Sequence, residues 1–244
     1  MIVVNWNVNW ASAPWRTTEI RRRIHEHNPE IVCLTETHCG FLEGGHTITS
    51  RGDYGYGHHV SRRKVLLWSR QPWRLVDDLG DDEMPPGRFV TGVTETSLGE
   101  VTVVGVCVPW QNSRVANKDS ASRRQPWEDH GRYLERLRSV LAQTPVEWLV
   151  LMGDFNQTIE EPGRHQSGAV ANRAALLRRV IPTGVTMATE DFEHEGRKPI
   201  DHIALGTELR RGGIEPISNR FENRRLSDHA FGLAAVATER TTEG

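Results

Sequence analysis

Asp228 and His229 stand side by side in RLSDHAFGLAAVA, between a polar turn and an apolar run. Packing gives no obvious reason for the pair, so chemistry is the question it raises. Other polar residues recur where apolar runs stop. Asn7 closes MIVVNWN, and Glu36 closes the run in EIVCLTET. Asp154 and Asn156 follow WLVLM in MGDFN, and Asp201 interrupts PIDHIAL. Each has a plain alternative, as a strand end, a solvated loop carboxylate or a polar turn. Asp201 is harder to dismiss, because a bare carboxylate inside an apolar strand is costly and needs a cation or a histidine beside it. If strand geometry persists through GDFN, Asp154 and Asn156 share one face, whereas Asp228 and His229 point apart.

Together these residues offer carboxylates, amides and one imidazole. Oxygen donors suit a hard cation such as Mg²⁺, with Mn²⁺ as a substitute. A zinc site would draw on more His or Cys. His25 with His27, and His58 with His59, are short pairs without zinc-motif spacing. Cys33, Cys39 and Cys107 form no CxxC pair, and their odd number argues against a disulfide framework. Reduced thiols fit a cytoplasmic protein.

These residues need strands that end together. MIVVNWNV reads as a buried strand, WRTTEIRRRIHEH as a helix with Ile20 and Ile24 on one face, and EIVCLTET as a second strand. HTITSR, YGHHVS, KVLLWS, WRLVDDL, RFVTGVTET and VTVVGVCVPW follow as short strands between Gly, Pro and Asp turns, the pattern of antiparallel meanders. SRRQPWEDHGRYLERLRSVLAQ predicts a helix with Pro126 near its start and Leu134, Leu137 and Leu141 on one stripe. EWLVLMGDFN is strand into loop, ANRAALLRRVI a shorter helix, and PIDHIALG and HAFGLAAVA the last strands. No linker or repeat divides the chain. The expectation is one domain over 1–238 and a frayed tail over 239–244.

The 244 residues suit one large α/β domain. A net charge of −2 excludes a global field that would draw the chain to nucleic acid or anionic membrane, and leaves a local phosphate site open. Lysine occurs only at Lys64, Lys118 and Lys198, so most of the 30 basic residues are arginine. That suits bidentate phosphate contacts, and coding bias gives the same excess. MIVVNWNVNW lacks a basic region and a long apolar run, and no stretch reaches the length of a spanning helix.

The order WNVN, LTETH, GDFN, IDHIAL, SDHAFG resembles the endonuclease/exonuclease/phosphatase superfamily, from residue 3 to about residue 236. That group includes exonuclease III-like apurinic-site endonucleases, deoxyribonuclease I, inositol polyphosphate phosphatases and sphingomyelinases. Each motif is short, and the specificity lies in all five occurring in order. The resemblance implies a four-layer α/β sandwich, two packed mixed sheets flanked by helices, and metal-assisted hydrolysis of a phosphate ester. It implies Glu36 as principal metal ligand, with Asn7 near the metal and Asp228 in or behind its shell. Asp154 would position or deprotonate the attacking water, and Asn156 would hold a phosphate oxygen or the nucleophile. His229 would contact the scissile phosphate, oriented by Asp201. Either Asp154 or His229 could be the general base, and a cationic His229 as phosphate stabiliser favours Asp154. One departure stands out. Where many relatives place a Tyr or His on the phosphate, CVPWQN puts Cys107, a poor donor. Trp110, Gln111, Asn112, Arg114, His130 or Arg132 are the candidates to compensate.

Segment 109–138 is rich in arginine and carries two tryptophans. Arg114, Lys118, Arg123 and Arg124 could follow a phosphate backbone, with Trp110 or Trp127 stacking a base. Trp127 could equally be a core anchor at the helix start. Arg62, Arg63 and Lys64 form a second basic flank. These features favour a nuclease acting on DNA or RNA, with Trp110, Asn112, Arg114 and Arg124 as the substrate grip and no membrane or obligate protein partner. Two alternatives stand beside it: a phosphatase or phosphodiesterase on a small metabolite or lipid headgroup, and an inactive binding module of the same fold.

Overall fold

The first strand, β1 (Ile2–Asn7), is buried on both faces from Val3 onward, which is why it reads as a near-continuous apolar run. The computed structural model describes residues 1–55, 59–79, 84–113, 125–159 and 168–241, the backbone alone over 168–172. Helix α1 (Pro14–Glu26) follows β1 and returns the chain to β2 (Ile31–His38), which pairs parallel to β1. Pro14 at the first helical turn costs nothing there, because that N–H has no partner within the helix.

The chain then makes β3 (His46–Thr49) and β4 (Arg62–Ser69), both in the first sheet, and β5 (Arg74–Asp77), β6 (Phe89–Thr96) and β7 (Gly99–Cys107) in the second. Helix α2 (Glu128–Leu141) connects β7 to β8 (Leu149–Asp154), again a parallel pair. After α3 (Gly168–Val180) come β9 (Thr186–Met187), β10 (Asp201–Leu205), β11 (Leu209–Ser218), the small hairpin β12 (Arg220–Phe221) and β13 (Arg224–Arg225), and β14 (Phe231–Glu239). The two six-stranded sheets run β11-β14-β1-β2-β4-β3 and β5-β6-β7-β8-β10-β9. Each is mixed.

Three apolar clusters fill three interlayer spaces. Val3, Cys33, Val65, Val103, Met152, Ile203 and Leu233 pack between the sheets. Ile20 and Ile24 of α1 cover the outer face of the first sheet on Val4, Val32, Leu34 and Leu66. Tyr133, Leu134, Leu137 and Leu141 of α2, with Leu177 and Val180 of α3, cover the second on Val104, Val106, Leu149 and Leu151. The layers are helix, sheet, sheet and helix, the expected four-layer sandwich.

Several expectations are corrected. YGHHVS is not a strand where it is described: 59–61 form a turn into β4, and 56–58 lie outside the described residues. Pro126 precedes α2, because Trp127 adopts a left-handed φ of 71° and the helix starts at Glu128. β11 escapes the apolar pattern because Gly212, Gly213 and Pro216 interrupt it, yet it pairs with β14 through a bulge at Arg211/Gly213. β14 continues through Glu239, one residue into the expected tail.

Candidate active site

Strand direction gathers the polar residues. The parallel strands β1 and β2 carry Asn7 and Glu36 at their C-terminal ends, and β8 does the same for Asp154. β10 runs antiparallel to β8, so its first residue, Asp201, lies opposite the last of β8, Asp154. β14 runs antiparallel to β1, so the residues before Phe231 meet the end of β1. Strand ends and strand starts from both sheets share one rim of the sandwich, the usual place for sites in layered folds.

Asp154 is the hub. Its Oδ2 accepts from Asn7 Nδ2 at 2.9 Å and Asn156 Nδ2 at 3.0 Å, and its Oδ1 from Asn156 N at 2.8 Å. Strand geometry does not persist through GDFN. Asn156 has a φ of 52°, and a turn built on the Asp154 carboxylate brings its side chain back. Asn7 also accepts from Asn9 N at 2.9 Å through Oδ1, so it holds Asp154 with one end and its own loop with the other.

His229 bridges two carboxylates. Its Nδ1 lies 2.5 Å from Asp201 Oδ2 and its Nε2 3.7 Å from Asp154 Oδ2. The partner that Asp201 required is therefore His229. Ligand atoms of Asp154, Asp201 and His229 all lie within 4.8 Å of one another. Burial works against charge on His229, but Asp201 first and Asp154 next outweigh it and lift its pKa to about 10. Burial pushes Asp154 up to about 7; the His229 charge opposes this, and Asp201 and Glu36 add to it. These three atoms are spaced to hold a metal ion when His229 is neutral, whereas a protonated His229 offers no lone pair.

Glu36 sits at a left-handed φ of 49° within β2, and its Oε1 accepts from Lys64 Nζ at 2.5 Å. Asp228 is exposed on the rim, with Arg16 as its basic neighbour. Sequence reasoning missed the residues that hold this loop. Ser227 Oγ donates to Asn7 O at 2.6 Å and accepts from His229 N at 3.2 Å. Arg16 donates to Leu226 O at 2.5 Å and Val8 O at 2.7 Å, tying the loop to the end of β1. Ser227 directly precedes the Asp228–His229 pair, which was its available signal. Arg16, in a basic helix, gave none.

Cys107 is fully buried and its thiol is pushed up to about 12 by that burial. It offers no phosphate contact. His130 does not compensate, because its ring nitrogens bond Pro109 O at 2.8 Å and Gln157 Oε1 at 2.7 Å. Lys64 and Arg88 supply the positive charge around the thiol, and Arg88 Nη1 donates to Cys107 O at 3.3 Å. Trp127 is half-buried at the start of α2, with the Arg173 guanidinium 4.1 Å from its ring centre and its backbone N–H donating to Gln111 O. Trp110 and Asn112 are exposed and outside the lining of the cleft over His229, and Arg114 and Arg124 lie outside the described residues. That cleft, about 550 Å³, is lined by Asn156, Arg197, Lys198, Asp201, Asp228 and His229 among others. Arg220 and Arg225 line the adjoining recess.

The Endonuclease/Exonuclease/phosphatase family matches residues 4–229, and the chain belongs to that family. No curated protein matches the sequence. Among solved structures, an endonuclease/exonuclease/phosphatase from Beutenbergia cavernae superposes with a TM-score of 0.68 at 16% identity, over 98% of this chain and 71% of that one. An AP endonuclease from Archaeoglobus fulgidus gives 0.66 at 18% identity, over 97% and 98%. The 3'-5' exonuclease of Neisseria meningitidis gives 0.64 at 18%, over 97% and 99%. These likenesses establish the fold.

Proposed function

We propose that this protein is a divalent-metal-dependent phosphodiesterase, and specifically a nuclease acting on DNA or RNA by in-line attack of water. The observation that carries the proposal is the Asp154–His229–Asp201 constellation, with His229 Nδ1 2.5 Å from Asp201 and its Nε2 3.7 Å from Asp154. Asp154 takes the proton of the attacking water through its carboxylate, oriented by Asn7 and Asn156. His229 donates from Nε2 to the phosphoryl oxygen that gains charge, while Asp201 fixes the ring from Nδ1.

The donors on the Glu36 side are oxygens, which fits Mg²⁺ or Mn²⁺. Glu36 would hold the ion, with Asn7 and Asp228 beside it or behind it. When bound, the ion supplies Lewis-acid stabilisation of phosphoryl charge. Arg197, Lys198, Arg220 and Arg225 around the cleft support an extended polyanion over a neutral ester. Family relatives that act on nucleic acid, such as the A. fulgidus AP endonuclease, support the same choice. The test is a panel with Mg²⁺: abasic duplex, single-stranded DNA, RNA, inositol phosphates and sphingomyelin. The proposal expects cleavage of at least one polynucleotide and little of the others. Turnover confined to inositol phosphates or sphingomyelin would replace it with the small-substrate reading.

A further inference from the structure

Lys64 is one of three lysines in the chain and, among the described residues, the buried one. Its place follows from the ladder. Thr35 pairs with Val65 and Thr37 with Arg63 in the antiparallel β2–β4 pair, so Lys64 stands across from Glu36. The ammonium is 2.5 Å from Glu36 Oε1, 5.0 Å from the Trp10 ring centre and 5.8 Å from that of Tyr54. Those rings stack on each other at 5.7 Å, and Trp10 N donates to Glu36 O at 2.6 Å. A carboxylate and two aromatic faces make a built ammonium seat, because ring faces attract cations.

Given the metal reading proposed above, on which this inference rests, that seat has a consequence. We infer that Lys64 couples the binding of a divalent cation at Glu36 to the binding of the phosphate ester, so that each is weak without the other. The Lys64–Glu36 pair sets the direction, because the ammonium already occupies a Glu36 oxygen that an incoming dication needs. An ion alone meets a like charge on its own ligand, and repulsion at such separations is strong in a partly buried site. A phosphodiester anion gives the Lys64 ammonium another acceptor and frees Glu36 for the ion. Lys64 also contributes positive charge at Cys107, the residue that leaves the phosphate without its usual donor. Coupling of this kind is reciprocal.

The experiment is Mn²⁺ titration followed by electron paramagnetic resonance of free Mn²⁺, with and without dimethyl phosphate. The chains are the wild type, Lys64→Met and Lys64→Arg. In the wild type the anion should tighten Mn²⁺ binding about 10-fold. Lys64→Met should bind Mn²⁺ alone about 10-fold more tightly than the wild type, with the effect of the anion largely lost. Lys64→Arg should keep the coupling. Unchanged Mn²⁺ affinity in Lys64→Met, or an intact anion effect, overturns the inference and leaves the metal reading standing. No Mn²⁺ binding to any chain, with or without anion, overturns both. If Lys64→Met fails to fold by circular dichroism, Lys64→Gln carries the same expectations.

Discussion

The Asp154 carboxylate and the His229 imidazole both hold their protons more tightly than usual, for different reasons. Burial makes Asp154 reluctant to lose its proton, and two carboxylates make His229 reluctant to lose its own. In the proposed mechanism each is thereby fitted to one task, proton acceptor and cationic donor. Asp154→Asn and His229→Ala should each lower turnover by on the order of 10² or more in chains that fold normally. Steady-state rates near wild type in either variant would remove that residue from catalysis. The pH profile carries a sharper test. Activity should rise as Asp154 deprotonates, near neutrality and above the ordinary carboxylate range, and fall as His229 deprotonates toward pH 10. Asp201→Asn removes the charge that contributes most to holding the proton on His229. Its alkaline limb should move to lower pH by about one unit or more. An unmoved limb would show that Asp201 does not tune His229.

Strands fix where those side chains stand, and one glycine sets the approach of two of them. Gly153 has a φ of 147°, and a Cβ there would lie 1.9 Å from Val106 O on the neighbouring strand. β7 and β8 pair closely at the residue before Asp154. Gly153→Ala should lower stability by roughly 1–3 kcal/mol or more in thermal denaturation, and lower activity as well. A stable, fully active variant would mean that the strand ends tolerate a shift. At this scale the sequence was largely legible. Apolar runs ending in Asn7, Glu36 and Asp154, and one interrupted by Asp201, marked the strands, and Ile20/Ile24 and Leu134/Leu137/Leu141 marked the helix faces. Interrupted or very short elements were not. β11 hides behind glycines and a proline, and β9, β12 and β13 span two residues each. The turn at Asn156 stayed open against a continued strand because Asp-Phe-Asn alternates like one. Lys64 was read as part of a basic flank, since its partner Glu36 lies 28 positions away and only the ladder brings them together.

Across the whole molecule, the site depends on two sheets that meet without slipping. Asn5 makes the join. From β1 in one sheet its Nδ2 donates to Gly153 O at 3.0 Å and His202 O at 3.1 Å in the other, fully buried. Asn5 and Asn7 are two apart on the same strand face, so one face carries both the inter-sheet bond and the bond to Asp154. Asn5→Leu leaves two buried carbonyls without that donor. It should cost about 1–3 kcal/mol and reduce turnover even though Asn5 touches no substrate. Wild-type turnover in a destabilised Asn5→Leu chain would assign the bond to folding alone. Among the described residues no helix is long and apolar enough to cross a membrane.

The most direct measurement is hydrolysis of bis-p-nitrophenyl phosphate with Mg²⁺, then with excess EDTA, then with Mg²⁺ restored. The geometry of Glu36, Asp154 and His229 predicts turnover that disappears with the chelator and returns with the ion. Undiminished turnover in EDTA would contradict the assignment of this rim as a metal-assisted phosphodiesterase.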